Sequence, residues 1–421
     1  MRATIIKQPL GGSSQQSQDK KWSGQGVVPP RYTMKYLAEF LEYNVWHRRC
    51  CALKTNVCVG LGIEIVTDDE DKEPDEEYRR LEDLLDAQQL NSRGVDIEET
   101  IRRIVFDFFA VGNGFVEAIR RGNGELDELV HAPAYTMRVA EKGGYRQIRS
   151  NNKAVAFADF GEKDRSGINE IAHILQYDPL SDFYGLPDWF PAYLTIVLDR
   201  EQSSYNVKSF QNELLAKVIL FFKNLKIGKE ARKTLESFFS EKGTGIENAG
   251  RALILDSEGD EFGNNVELEM HKIQSDTKEG AFNQSRKLNR DEVVGAWGVP
   301  PRLVGILSSG QLGGGGEGDS QMKIFKETEI DPLQRKFEKF FNHILRTGLD
   351  LKKWKLKFKE FDYTSAFDDA EYLNQIAPYL TDDERREVIG YKPIENKGSV
   401  EKTKITSLAK ALVELRRELE E

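Results

Sequence analysis

The sequence predicts an α+β fold, mainly helical, in which a broad base carries a stalk and a small α/β knob. Three observations predict it. A long apolar stripe at helical spacing follows Thr33, alternating strands flank glycine turns, and two helices without an apolar face bracket a compact insert. The chain of 421 residues is 39% hydrophobic and 31% charged, the composition of a globular protein with more than one core. Its longest apolar runs, such as Lys217 to Phe222, are of strand length and fall far short of a bilayer span of roughly 20 residues. No membrane segment is expected, and the start lacks the apolar stretch of a signal peptide.

Residues 1–32 read as a Gly/Ser/Gln-rich disordered arm ending at Pro29-Pro30. From Thr33, Phe40, Tyr43, Trp46, Cys50, Leu53 and Val57 recur every three or four residues and predict one long amphipathic helix. Leu61 to Val66 reads as a strand. Eight acids and one lysine between Asp68 and Glu77 have neither the ligand spacing nor the glycine of a calcium loop, and read as a solvated loop and helix start. Asp96 and Glu99 form a capping-box pattern ahead of Ile97, Ile101, Ile104, Val105 and Phe108. Phe115 to Arg121 and Glu125 to Val130 around Gly122-Asn123-Gly124 read as a hairpin.

Residues 187–216 read as a helix whose second half, from Asp199 to Glu213, is polar nearly all round, and Ala281 to Val294 reads the same way. Such a helix projects into solvent, bridges domains, or packs on copies of itself. Between the two lies the insert, with strands at Lys217 to Phe222 and Arg251 to Asp256, a helix around Leu235, Phe238 and Phe239, and alternation at Val266, Leu268 and Met270. Pro300-Pro301 closes the second polar helix and a glycine-rich loop runs from Ser308 to Ser320. The helix from about Gln321 to Arg346 contains Pro332, which removes a backbone donor and predicts a kink near Asp331. Next comes strict alternation, with Trp354, Leu356 and Phe358 facing one way and Lys353, Lys355, Lys357 and Lys359 the other. The lysines either guard an exposed edge or form a ladder facing DNA or a neighbouring subunit. The C-terminal region is helical, ending in a heptad run of Ile405, Leu408, Leu412, Leu415 and Leu419.

The five histidines, His47, His131, His173, His271 and His343, occur without a nucleophile elbow or a Cys/His arrangement, and read as structural. Cys50, Cys51 and Cys58 share one helix without zinc spacing and read as reduced core residues. Gly313, Gly315 and Gly318 satisfy GxGxxG, but without the βαβ unit that gives the pattern meaning. Neither a cofactor nor a metal is expected. The net charge of −10 disfavours tight binding of duplex phosphates while leaving room for a conduit that must not hold its cargo.

Three strings carry a family resemblance. Asp178 to Trp189 (DPLSDFYGLPDW), Asn289 to Gly305 (NRDEVVGAWGVPPRLVG) and Leu380 to Ile394 (LTDDERREVIGYKPI) with Asp369 to Leu373 follow one another in the order in which tailed-phage portal proteins carry similar passages. The chain resembles that family from about Thr33 to Ile394. Two features depart from its pattern, namely Asp383 where the family usually has Asn and the glycine run Gly313 to Gly316.

The resemblance implies a structural subunit, not an enzyme. It implies a ring, typically a dodecamer, in which residues 33–186 with 322–362 form the wing, 187–216 and 273–297 the stem helices, 217–272 the clip, 298–321 the tunnel loop and 363–421 the crown. It places Val304, Ile306, Leu307, Gln311 and Leu312 against double-stranded DNA in transit, held non-specifically, although Val304, Ile306 and Leu307 equally suit packing onto the wing. The implied partners are the terminase large subunit, a head-tail adaptor and the major capsid protein. The implied location is the portal vertex of a virion assembled in the host cytoplasm. Other readings stay open: a metal-dependent phosphoryl-transfer enzyme using Asp68 to Asp71 or Asp368 and Asp369, and a DNA-binding scaffold using the lysine ladder.

Overall fold

The computed structural model describes residues 26–67, 73–86, 89–148, 153–162, 168–212, 218–223, 267–272, 279–306 and 321–359, with single positions at 233 and 381. The chain divides into two units, one of residues 1–313 with 324–360 and one of 314–323 with 361–421. The second is described only at 321–323 and Thr381. The expected crown, including its heptad run, and the Gly-rich run therefore lie outside the described residues.

Where one long helix was expected, the chain forms two: α1 (Met34–Tyr43) and α2 (Val45–Val59). Asn44 separates them in an extended conformation, and its Oδ1 accepts from the His47 N–H at 2.9 Å. A short polar side chain that offers the backbone an alternative partner ends one helix and caps the next. After β1 (Ile63–Thr67), Asp75 caps α3 (Glu76–Leu85), and the predicted box caps α4 (Ile97–Val111), with Asp96 accepting from the Glu99 N–H at 2.7 Å. Gly112 stops α4 at φ 74°, and a Cβ there would lie 2.8 Å from the Leu186 carbonyl carbon, so both conformation and space require glycine.

A six-stranded sheet follows in the order β3-β2-β7-β6-β5-β4. Its strands are β2 (Asn113–Arg120), β3 (Leu126–His131), β4 (Met137–Val139), β5 (Tyr145–Ile148), β6 (Ala154–Asp159) and β7 (Glu170–Leu175). The β2–β3 hairpin is the predicted one, and only the β6–β7 pairing is parallel. Helix α4 lies against β2, where Phe115, Val116 and Ala118 are buried, while Phe108 of α4 meets Phe337 edge to face at 5.0 Å.

The polar helices are α5 (Tyr193–Asn212) and α6 (Glu279–Ala296). Between them β8 (Val218–Lys223) pairs antiparallel with β9 (Glu267–Lys272); the insert's predicted helix and its strand at 251–256 lie outside the described residues. Residues 321–325 are helical, Lys326–Ile330 form a π turn, and α7 runs Asp331–Leu349. The π turn is the local form of the predicted distortion at Pro332. The Asp331 N–H reaches back five residues to the Lys326 carbonyl, directly before the residue that has no N–H to give. Strand β10 (Trp354–Phe358) then pairs antiparallel with β1.

Candidate DNA-channel segment and the junction that holds it

The segment after α6 begins as a tight, packed corner. Gly298 (φ 65°) and Pro300 lead into a 3-10 turn, Pro301–Val304, closed by Gly305 at φ 87°. The Ile306 N–H donates to the Pro301 carbonyl at 2.9 Å. Val299 and Val304 are buried, and Ile306 packs partly against the same core. Val304, at 7% exposure, is thus a core side chain of the corner and has no free face to offer DNA. Leu307, Gln311 and Leu312 lie outside the described residues, as do Asp68 to Asp71, Asp368 and Asp369.

Both sides of this segment meet at one buried cation, Lys54, whose role no local pattern signals. Lys54 Nζ donates to the Trp297 carbonyl at 3.2 Å and to Glu329 Oε2 at 2.8 Å. Trp297 follows the last turn of α6 and Glu329 stands in the π turn, so a single ammonium ties the residue before the corner to the helix after the loop. Gly298 belongs to the same junction, because a Cβ there would press the Glu329 carboxylate at 3.1 Å. Burying an ammonium is costly unless charge and hydrogen bonds compensate it. Here a carboxylate and a helix C-terminal carbonyl do so.

Beside Lys54 the junction is aromatic. His47 contacts Trp189 at 4.3 Å between ring centroids, and Trp297 Nε1 donates to His47 Nδ1 at 3.0 Å. Burial holds the His47 imidazole neutral, its pKa lowered to about 3. Trp189 in turn donates from Nε1 to the Phe109 and Ala110 carbonyls. Two of the strings that carried the resemblance thus supply the junction's tryptophans. Tyr184, from the first of them, donates to the Val28 carbonyl at 2.7 Å and accepts from the Val139 N–H.

Beyond the junction, α5 and α6 satisfy each other. Arg286 Nε donates to Asp199 Oδ1 at 3.1 Å, Gln202 donates to Ser285 Oγ at 2.9 Å, and Asn289 donates to Gln202 Oε1 at 3.0 Å. Asp199 also accepts from Asn44 Nδ2 at 3.0 Å, which pins the α1–α2 break to this pair. Projection into solvent, bridging of domains and packing on copies were the options for such helices; instead, between Asp199–Gln202 and Ser285–Asn289, the polar faces pair with each other within one chain. Large apolar side chains of these helices stay exposed, among them Leu194 and Leu198 of α5 and Leu288 of α6, at 53%, 48% and 62%.

The lysine strand alternates as predicted. Trp354, Leu356 and Phe358 are buried, Lys353, Lys357 and Lys359 exposed and Lys355 half-buried. Glu64 of β1 stands opposite Lys357. The strand's other edge is covered by α7: Asn342 exchanges two hydrogen bonds with the Leu356 backbone, and Glu338 accepts from the Phe358 N–H. Side chains of α7, not lysines, shield that edge.

Elsewhere, burial raises the Cys50 thiol to about 12 and raises Cys51 and Cys58 as well, which disfavours their thiolates. His173 is buried with a pKa lowered to about 3, and His131 Nε2 lies 2.8 Å from Asp107 Oδ2. Among the described residues no group of three or more His, Cys, Asp and Glu could hold a metal ion. No helix among them is long and apolar enough to cross a membrane.

Together these make a mixed α+β fold in which two helices pair through polar side chains, with a strand pair between them in the chain and a packed corner after them. The phage portal protein family model matches residues 46–390, and the chain belongs to that family, whose role is a DNA-packaging channel. It is 21% identical to the uncharacterized protein YqbA of Bacillus subtilis (strain 168), covering 90% of this chain and 84% of that one. It is 25% identical to the probable portal protein of Escherichia phage P2, over 56% of this chain and 65% of the relative. Among solved structures, it resembles a chain in the neck of a native GTA particle computed with C12 symmetry, with TM-score 0.58 at 18% identity, covering 88% of this chain and 97% of that one. An HK97 family phage portal protein from Corynebacterium diphtheriae gives TM-score 0.50 at 16% identity, covering 79% and 96%.

Proposed function

We propose that copies of this chain close into a ring, a dodecamer, at the portal vertex of a phage or phage-like particle assembled in the host cytoplasm, and that double-stranded DNA passes through its centre in both directions. The observation that carries this is the family match across residues 46–390. In this reading α5 and α6 are the stem, residues 217–272 the clip, 298–321 the tunnel loop, 363–421 the crown, and the sheet with α1 to α4, α7 and β10 the wing. The clip meets the terminase large subunit and later the head-tail adaptor, and the wing meets the major capsid protein. The chain is a channel and not an enzyme, so the terminase supplies the hydrolysis that drives DNA.

The net charge of −10 suits a conduit. A wall of like charge repels phosphates within about a Debye length, roughly 8 Å at physiological salt, so duplex slides without a deep binding minimum. With Val304 in the core, the DNA contacts fall to Ile306, Leu307, Gln311 and Leu312. The lysines Lys353, Lys355, Lys357 and Lys359 lie on a wing strand and serve solubility or contacts with neighbouring copies. Electron micrographs of the purified chain test the reading: rings with a central hole are expected, and compact particles without one would overturn it.

A further inference from the structure

The hydrogen bonds between α5 and α6 fix which residues of the two antiparallel helices stand at one height. Asp199 lies level with Arg286, and Gln202 with Ser285 and Asn289. Glu201 and Lys287 therefore occupy the same level of the stalk. At 3.6 residues per turn, Glu201 stands roughly 130° around α5 from the face that meets α6, and Lys287 roughly 155° around α6 from the face that meets α5. They point off opposite edges of the helix pair. Both are exposed, and neither makes an ion pair among the described residues.

Their neighbours are already committed. Asp291 pairs with Arg290 at 2.8 Å, Arg286 with Asp199, and the Arg200 guanidinium lies 3.9 Å from the centre of the Tyr43 ring. One edge of the stalk is thus left with an uncommitted carboxylate and the other with an uncommitted ammonium. A second copy turned about an axis along the stalk brings one edge against the other at constant height, which is the geometry of a head-to-tail cyclic interface.

We propose that Glu201 of one copy pairs with Lys287 of the next, and that this contact sets the register of neighbouring stalks in the ring. It rests on the ring reading above and deepens it by assigning the facing edges. A single surface ion pair is weak, but a closed ring repeats it at every interface, and a reversed charge sets like against like at each one.

The test uses the full chain with a carbodiimide, which condenses a carboxylate and an amine in contact into an amide. In assembled material, denaturing gels are expected to show a ladder of linked subunits whose cross-linked peptides contain Glu201 and Lys287. Lys287→Arg should keep the ring and lose the link, because a guanidinium is not coupled. Glu201→Lys and Lys287→Glu should each lower the ring fraction several-fold with unchanged melting of the isolated chain, and the double reversal should restore it. Rings that form without the link, and that tolerate Glu201→Lys as well as the wild type, would overturn the contact while leaving the ring standing. A wild-type chain that forms no ring would overturn both.

Discussion

The base of the α5–α6 pair and the stretch of shaft just beyond it are held together by opposite means. At the base, His47, Trp189 and Trp297 form a buried aromatic cluster beside one buried cation, Lys54. Along the shaft, Asp199, Gln202, Ser285, Arg286 and Asn289 bond side chain to side chain, with Asp199 and Asn289 buried, Gln202 and Ser285 half-buried and Arg286 exposed. Burial of large side chains stabilises strongly and fixes position, whereas exchanged polar bonds contribute little net energy and mainly select the partner and its register. The molecule is anchored at the base and selects its partners along the shaft.

Substitutions can break this comparison. Trp297→Ala removes a fully packed indole and its bond to His47, and is expected to cost about 3–5 kcal/mol in chemical denaturation. Lys54→Met removes the tie between Trp297 and the π turn. The Glu329 carboxylate it leaves is 39% exposed and can be hydrated, so a smaller loss of about 1–3 kcal/mol is expected by the same measurement. If Lys54 clamps the loop, hydrogen exchange at 321–330 should also rise. Asn44→Ala deletes a helix cap and the bond to Asp199 and should cost about 1–2 kcal/mol. Gln202→Ala, on the shaft, should cost about 1 kcal/mol or less in the same assay. A shaft variant as damaging as Trp297→Ala would break the contrast.

Acid sharpens it. His47 and His173 are held neutral by burial, with pKa values lowered to about 3. Protons bind the unfolded chain first, so each histidine's contribution is complete above its ordinary pKa of about 6.5 and is lost as pH falls from there toward 3. Stability measured at pH 7, 5.5 and 4.5 should therefore fall, on the order of 1 kcal/mol per histidine per pH unit within the window. His47→Gln should flatten that slope although it lowers stability at pH 7.

Much of this was legible from local pattern. The hairpin at Gly122 to Gly124, the Asp96 cap, the alternation of β10 and the distortion at Pro332 each depend on residues within one or two turns. The junction was not legible, because its pairs span great separations. Asn44 reads as an ordinary helix residue until Asp199 is placed beside it, and Lys54 looks like surface lysine until Trp297 and Glu329 close over it. Nor does composition reveal that polar helix faces have satisfied one another. Only the register of Gln202 against Ser285 and Asn289 shows it, and shows with it which edges remain for a neighbour.

Light scattering on the purified full chain, at micromolar concentration and moderate salt, tests the ring most directly. The account predicts one species of many times 48.0 kDa, persisting on dilution, with a mass that is a whole multiple of the chain. A monomer of 48.0 kDa under those conditions would contradict it.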